Sequence, residues 1–435
     1  MKFRGLFLAL AVLVLLVGGL YWSNRESAAK TSAAPVSSSP KILALNQSEI
    51  VKLQLKRKDR EDVSLSKDGS GTWRIIAPKS YGADSAAVSS LLSTISTLNS
   101  ESVVEEKATD LEAYGLAIPS VDLAITMSGD KAYQLRLGDD TPTGGATYAV
   151  VANDPRVFTV ASYVKNSLDK GLNDLRDKRL LTVESDKIKR LDLANNKLQI
   201  EFDRDQNHWR IAMPKPLRAN DSEVDDLVRR LTDARIDLQE DGSTRKPGQI
   251  ESSFAKAPLL GTVKLISDAG VQELTVRKVG SDYYGKSTVT DAPHKISNDI
   301  SQEFGKSLDD FRNKKLFDFG YSDPSKIEFH DGSKAYFLTR SGREWWAPDG
   351  KKLDAAGADS FLDKLRDLTA SKFVESGFAN PAIQVSVDAE RVLIAKAGSE
   401  YVAKREDDST LYQMDSKTVE ALQHAATELK PVTSK

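Results

Sequence analysis

Trp73-Arg74-Ile75-Ile76-Ala77-Pro78 returns as Trp209-Arg210-Ile211-Ala212-Met213-Pro214, 136 positions later. A degenerate third copy, Trp345-Trp346-Ala347-Pro348, places its proline 134 positions after Pro214. A period this long means one folding unit used three times. At 435 residues the chain has room for about three domains of ordinary size. The spacing predicts units over 41–181, 182–317 and 318–435.

Within the first unit, Ile50-Val51-Lys52-Leu53-Gln54-Leu55 alternates at strand period. Val63-Ser64-Leu65 does so briefly, and Asp68-Gly69-Ser70-Gly71 is turn chemistry before the Trp73 strand. Asp84 is the expected N-cap of a helix with Val88, Leu91, Leu92, Ile95 and Leu98 at helical spacing. Val121–Ile125 and Tyr133–Leu137 read as one hairpin, Tyr148–Val151 and Val157–Val160 as another. The helix returns with Val224, Leu227, Val228 and Leu231, capped by Asn220 or Asp221, and again with Asp354, Phe361, Leu362, Leu365 and Leu368. Tight connections between neighbouring strands favour antiparallel pairing. The expected fold class is therefore α+β: three tandem units, each a mainly antiparallel sheet with packed helices, behind an N-terminal transmembrane helix.

That last element rests on the run from Gly5 to Trp22, which carries no charge. Eighteen residues are just enough to cross a hydrocarbon core as a helix. Lys2 and Arg4 flank it on one side, and Tyr21 and Trp22 close it at the expected membrane interface. Flanking cations stay cytoplasmic, so the expectation is a single-pass protein of the cytoplasmic membrane with its body in the periplasm. A cleaved signal peptide is the alternative, since Ala28-Ala29 and Ala33-Ala34 follow. Residues 23–40, rich in Ala, Ser and Pro, read as a linker.

The chemistry is sparse. There is no cysteine, which excludes disulfides, thiolate metal sites and thiol catalysis. The net charge of −2 argues against nucleic-acid binding by bulk charge. His208, His294, His330 and His424 are scattered, without metal-ligand spacing. Asp139-Asp140, Asp225-Asp226, Asp309-Asp310 and Asp407-Asp408 are adjacent pairs, whose side chains do not converge. No nucleophile elbow, phosphate loop or dinucleotide fingerprint occurs. Hence neither catalytic residues nor cofactors are expected. Trp73, Trp209 and Trp345 read as equivalent core anchors. One insertion stands out: Asp139, Asp140, Thr141, Pro142, Thr143, Gly144, Gly145, Ala146 and Thr147 occupy a place that the other units span with two residues. Insertions in repeats map to exposed loops, often on the working face. This is the candidate interaction loop, and the fold is expected to survive its shortening.

Other residues carry a resemblance. Gly82-Ala83-Asp84 precedes the first helix. Leu111, Tyr114, Gly115, Leu116 and Pro119 form L-x-x-Y-G-L-x-x-P. Leu137-Gly138 ends a strand, Tyr148 opens another, and Leu175 to Leu181 reads L-R-D-K-x-L-L. With the W-R-I-x-x-P stretch, this order resembles the bacterial DUF4340 family, most closely over 41–181. The second unit departs from it, with Ser253-Phe254-Ala255-Lys256-Ala257-Pro258 where Y-G-L would stand. The resemblance implies similarity to membrane-anchored partners of ABC-type export systems, including gliding-associated auxiliary components, and no catalytic residues. The expected function is a non-enzymatic auxiliary or scaffold subunit of an ABC-type transport complex, with a permease and ATPase as partners. An envelope module binding glycan or peptide ligands is the alternative.

Overall fold

The computed structural model describes residues 41–237, 247–320 and 322–432. The chain divides into two compact units, one ending at Lys178 and the other beginning at Arg179.

The first unit holds a nine-stranded sheet. Its strands are β1 (Ile50–Arg57), β2 (Val63–Lys67), β3 (Trp73–Ala77), β4 (Tyr81–Gly82), β5 (Ser102–Glu105), β6 (Val121–Met127), β7 (Ala132–Asp140), β8 (Ala146–Val151) and β9 (Val157–Ala161). The order is β4-β3-β2-β1-β6-β7-β8-β9-β5, and each pairing is antiparallel. Two meanders thus meet at β1 and β6, where Leu55 pairs with Leu123. In β6, Val121, Leu123, Ile125 and Met127 are buried, as alternation requires when one face packs on a core. Helix α1 (Ser85–Ser96) lies between the meanders in sequence. Asp84 caps it, accepting hydrogen bonds from the backbone N–H groups of Ala86 and Ala87 at 3.0 Å. Its Val88, Leu91, Leu92 and Ile95 join the strand side chains in one core. Burying each is worth about 1.5–3 kcal/mol. Helices α2 (Ser162–Leu168) and α3 (Leu172–Leu175) complete the unit.

The second unit holds two eight-stranded sheets. The first comprises β10 (Arg190–Asn195), β11 (Gln199–Asp205), β12 (His208–Met213), β13 (Leu217–Arg218), β14 (Leu259–Ser267), β15 (Gly270–Val279), β16 (Asp282–Ser287) and β17 (His294–Lys295), with helices α4 (Asp221–Thr232), α5 (Pro247–Lys256) and α6 (Asn298–Glu303). The other comprises β18 (Lys326–Asp331), β19 (Lys334–Ser341), β20 (Glu344–Trp346), β21 (Lys372–Val374), β22 (Ile383–Val387), β23 (Glu390–Ala397), β24 (Glu400–Arg405) and β25 (Leu411–Met414), with α7 (Ala355–Arg366) and α8 (Ser416–Thr427). Both repeat the two-meander plan, joined at β10–β14 and β18–β22.

The segment that closes each repeat bonds to the strand that leads into the main helix. Asp84 N–H donates to the Leu175 carbonyl at 2.8 Å, and Asn220 N–H to the Phe311 carbonyl at 2.8 Å. The same segment then enters another core. Phe311 belongs to the core of the second sheet, whereas Leu316 and Phe317 are buried in the core of the third. Likewise Leu180 and Leu181, expected to end the first unit, are buried with the second sheet.

Two expectations need correction. No helix among the described residues is long and apolar enough to cross a membrane. The fold class is therefore three antiparallel sheets with eight α-helices among the described residues, without a membrane-spanning helix there. The run Gly5 to Trp22, with Lys2, Arg4, Tyr21 and Trp22, lies outside the described residues. The single-pass localisation with a periplasmic body has no structural support and is withdrawn. An uncharged apolar run satisfies the length rule for a span, but that pattern alone does not establish one.

Candidate functional site

The insertion of the first unit is mostly ladder. Strand β7 continues through Asp140 and β8 starts at Ala146, so the turn is confined to residues 141–145. Thr141 N–H donates to the Ala146 carbonyl at 2.9 Å, and a bulge between Leu137 and Asp140 absorbs the extra length. Asp140 accepts from the Thr147 hydroxyl at 2.7 Å and from Lys165 at 3.1 Å. These bonds, Thr147 first, hold its carboxyl below the usual carboxylate range. Thr147 itself is fully buried. The Asp139 carboxylate packs so closely over Gly115 that a Cβ there would meet it at 2.5 Å. Gly115 also has a φ of +66°, which explains the glycine of Y-G-L twice over. Pro142, Thr143, Gly144 and Gly145 remain exposed at the tip. Replacing residues 139–147 by a two-residue turn is accordingly expected to destabilise the first unit by about 1–3 kcal/mol through lost buried hydrogen bonds. Thermal denaturation of the full chain checks this. An unchanged transition would make the insertion dispensable to the fold.

The repeated tryptophans are not equivalent. Trp209 and Trp345 are buried, whereas Trp73 is half-buried at the margin of its core. Asp221, a candidate helix cap, accepts instead from the Trp209 backbone N–H at 2.6 Å and stands 2.8 Å from His208 Nδ1. That bond to Asp221 raises the pKa of His208. Asp225 accepts the indole N–H of Trp209 at 2.8 Å, so it is more than a solvated helix residue.

The richest polar site lies within the second unit, where the closing segment Phe311–Phe317 passes between its two sheets. Arg312 is buried, and its guanidinium stacks 3.5 Å from the centre of the Phe373 ring. It also donates to Asp309 at 2.9 Å and to the Thr410 hydroxyl at 3.3 Å. Arg218 donates to the Lys315 carbonyl at 2.8 Å, to Tyr412 Oη at 3.3 Å and to Asp318. Arg405, buried in β24, pairs with Asp407 and Glu390 and donates to the Leu316 carbonyl. Burial opposes its charge, but Asp407 and Glu390 more than offset that, so its pKa is raised. Burial likewise pushes the Tyr412 phenol up to about 12. Asp408 accepts from that phenol at 2.9 Å. The members of the pairs Asp309-Asp310 and Asp407-Asp408 thus bind separate partners, namely Arg312, Ser307, Arg405 and Tyr412.

Beside this network opens a cleft of about 920 Å³. Four carboxylates line it: Asp221, Glu223, Asp310 and Asp318. Each has an internal partner, namely Trp209, Lys306, Ser307 and Arg218. Lys314 and Lys315 also line the cleft and make no ion pair among the described residues. Bonds from Ser307 hold the Asp310 carboxyl below the usual carboxylate range, and the charges of Lys314 and Lys306 add to this, so the cleft carries both signs of charge. Among the described residues no group of three His, Asp or Glu side chains could hold a metal ion. Sequence reasoning missed Arg312 and Arg218. The displacement of 136 between Arg176 and Arg312 was the available signal, and Arg176 too is buried, stacked 4.3 Å from the Tyr81 ring.

No curated protein matches the sequence. One similar solved structure is the DNA polymerase III subunit beta from Pseudomonas aeruginosa, at 7% identity and a TM-score of 0.17, covering 86% of this chain and 92% of that one. At that TM-score the likeness carries no argument. The family described as "Domain of unknown function (DUF4340)" matches residues 73–250 and again 209–385. The two matches begin at Trp73 and Trp209, the same place in the first two repeats. Together they span well over half of the sequence, and the chain belongs to the DUF4340 family.

Proposed function

We propose that the chain is a non-enzymatic scaffold subunit, an auxiliary component of an ABC-type transport complex, which docks a partner at the cleft of its second unit. The makeup of that cleft supports docking: Asp221, Glu223 and Asp318 hold internal partners, Lys314 acts on Asp310, and Lys315 lines the cleft with no ion pair among the described residues. An acidic surface on a partner subunit complements such a site, and rim charges of this kind set orientation and association rate. The buried arginine network behind the cleft fixes its walls, which limits the ordering cost of docking. The association with ABC-type systems comes from resemblance within the family.

Affinity purification of the tagged full chain after gentle detergent treatment of cells tests the reading. A permease and an ATPase of the ABC type are expected to co-purify. Lys314→Glu with Lys315→Glu is expected to weaken the association about tenfold, or 1.4 kcal/mol. Recovery of the chain without either component overturns the proposal.

A further inference from the structure

The duplication presents one site in two states. Helices α1 and α4 are displaced by 136 at both ends, so Ser85 and Ser89 stand where Asp221 and Asp225 stand. Strand registers agree as well: Ile75 pairs with Tyr81, and Ile211 pairs with Leu217. Each indole has a cation from its neighbouring strand. Lys67 Nζ lies 5.5 Å from the ring centre of Trp73, and the Arg204 guanidinium 5.2 Å from that of Trp209. In the second unit two carboxylates close the site. Asp221 takes the Trp209 backbone N–H, Asp225 takes the indole N–H, and Trp209 is only 2% exposed.

In the first unit those carboxylates are absent and the site is open. A groove of about 700 Å³ runs beside Trp73, lined by Ser48, Lys67, Thr72, Ser85 and Ser89 among others, with no carboxylate in its wall. The side-chain hydroxyls of Ser85 and Ser89 and the indole N–H of Trp73 have no hydrogen-bond partner among the described residues. Lys67 donates to the Ser48 carbonyl at 2.9 Å and has no ion pair there. The groove therefore keeps the indole and the cation of its counterpart and lacks the anions.

We propose that this groove binds an acidic segment of a partner polypeptide, with an aspartate or glutamate carboxylate seated where Asp225 sits in the second unit. The carboxylate accepts from the Trp73 indole N–H and the serine hydroxyls, while Lys67 supplies charge. Charge-assisted hydrogen bonds of this kind are about twice as strong as neutral ones. A polypeptide is the favoured source because the occupant of the counterpart site is itself a pair of side-chain carboxylates one helical turn apart. The site is separate from the cleft of the second unit and does not require an ABC-type partner.

The test uses the full chain with a fluorescent Glu/Ala-alternating decapeptide, its Gln/Ala counterpart and an oligogalacturonate. The Glu peptide is expected to bind at least tenfold more tightly than the Gln peptide and to weaken with salt. Ser89→Asp supplies the groove with its own anion. It should weaken the Glu peptide tenfold or more and shift tryptophan emission to shorter wavelength. Trp73→Phe, which keeps a ring but loses the N–H, should weaken binding several-fold. Equal binding of the two peptides overturns the assignment. So does undiminished binding by both variants, or preference for the oligogalacturonate. Purification without ABC subunits together with tight binding of the Glu peptide would reject the transport reading and leave this site standing.

Discussion

Trp209→Ala is expected to destabilise the second unit by about 3–5 kcal/mol, the range for deleting a fully buried aromatic and leaving its cavity. The loss has two parts. The indole is buried among core residues, and its N–H satisfies Asp225. Trp73→Ala should cost markedly less, because Trp73 is half-buried and makes no such bond. Chemical denaturation of the full chain, followed by far-ultraviolet circular dichroism, measures both. Equal losses would restore the tryptophans to equivalence and remove the contrast on which the groove of the first unit rests.

Arg405→Met is expected to cost about 1–3 kcal/mol, the loss of a buried donor whose carboxylate partners Glu390 and Asp407 are themselves in reach of solvent. The guanidinium is 4% exposed and joins Asp407, Glu390 and the Leu316 carbonyl. Removing it leaves Glu390 and Asp407 facing a neutral wall and the Leu316 carbonyl without that donor. Leu316 is the residue through which the closing segment enters the third core. The variant should therefore also loosen residues 311–317, of which Arg312, Asn313, Lys314 and Lys315 line the cleft, and hydrogen exchange at the Leu316 amide reports on that. A denaturation midpoint close to that of the parent chain would show that the network contributes little net stability.

The repeat, the strand alternation and the helix faces were legible because each is a periodic constraint on local sequence. Val88, Leu91, Leu92 and Ile95 are buried where helical spacing puts them, and Asp84 caps as its type suggests. What escaped were choices between partners. Asn220 and Asp221 are both good caps by type, yet the Asp221 carboxylate bonds to Trp209 across the fold. Trp73 and Trp209 look identical in a motif, but Trp209 bonds to Asp221 and Asp225, 12 and 16 residues further on, where Trp73 has Ser85 and Ser89. The Asp139–Thr147 insertion read as a free loop because turn-forming residues say nothing of a bulge that carries the ladder to Asp140. The closing segment read as the end of a unit, although Leu180 and Leu181 belong to another core. Such choices depend on non-local contacts, and no local pattern encodes them.

The meeting of two meanders at one central strand pair has a consequence for biosynthesis. Strand β1 leaves the ribosome long before β6, its partner across Leu55 and Leu123. Until β6 arrives, β1 presents an unpaired edge whose Ile50, Leu53 and Leu55 are destined for the core. The same interval recurs at β10 and β18, which wait for β14 and β22. Loop closure of this length slows pairing, and an apolar edge left open is a template for a neighbouring nascent chain. Three such intervals in one polypeptide make transient exposure of apolar strand edges during synthesis a property written into the strand order.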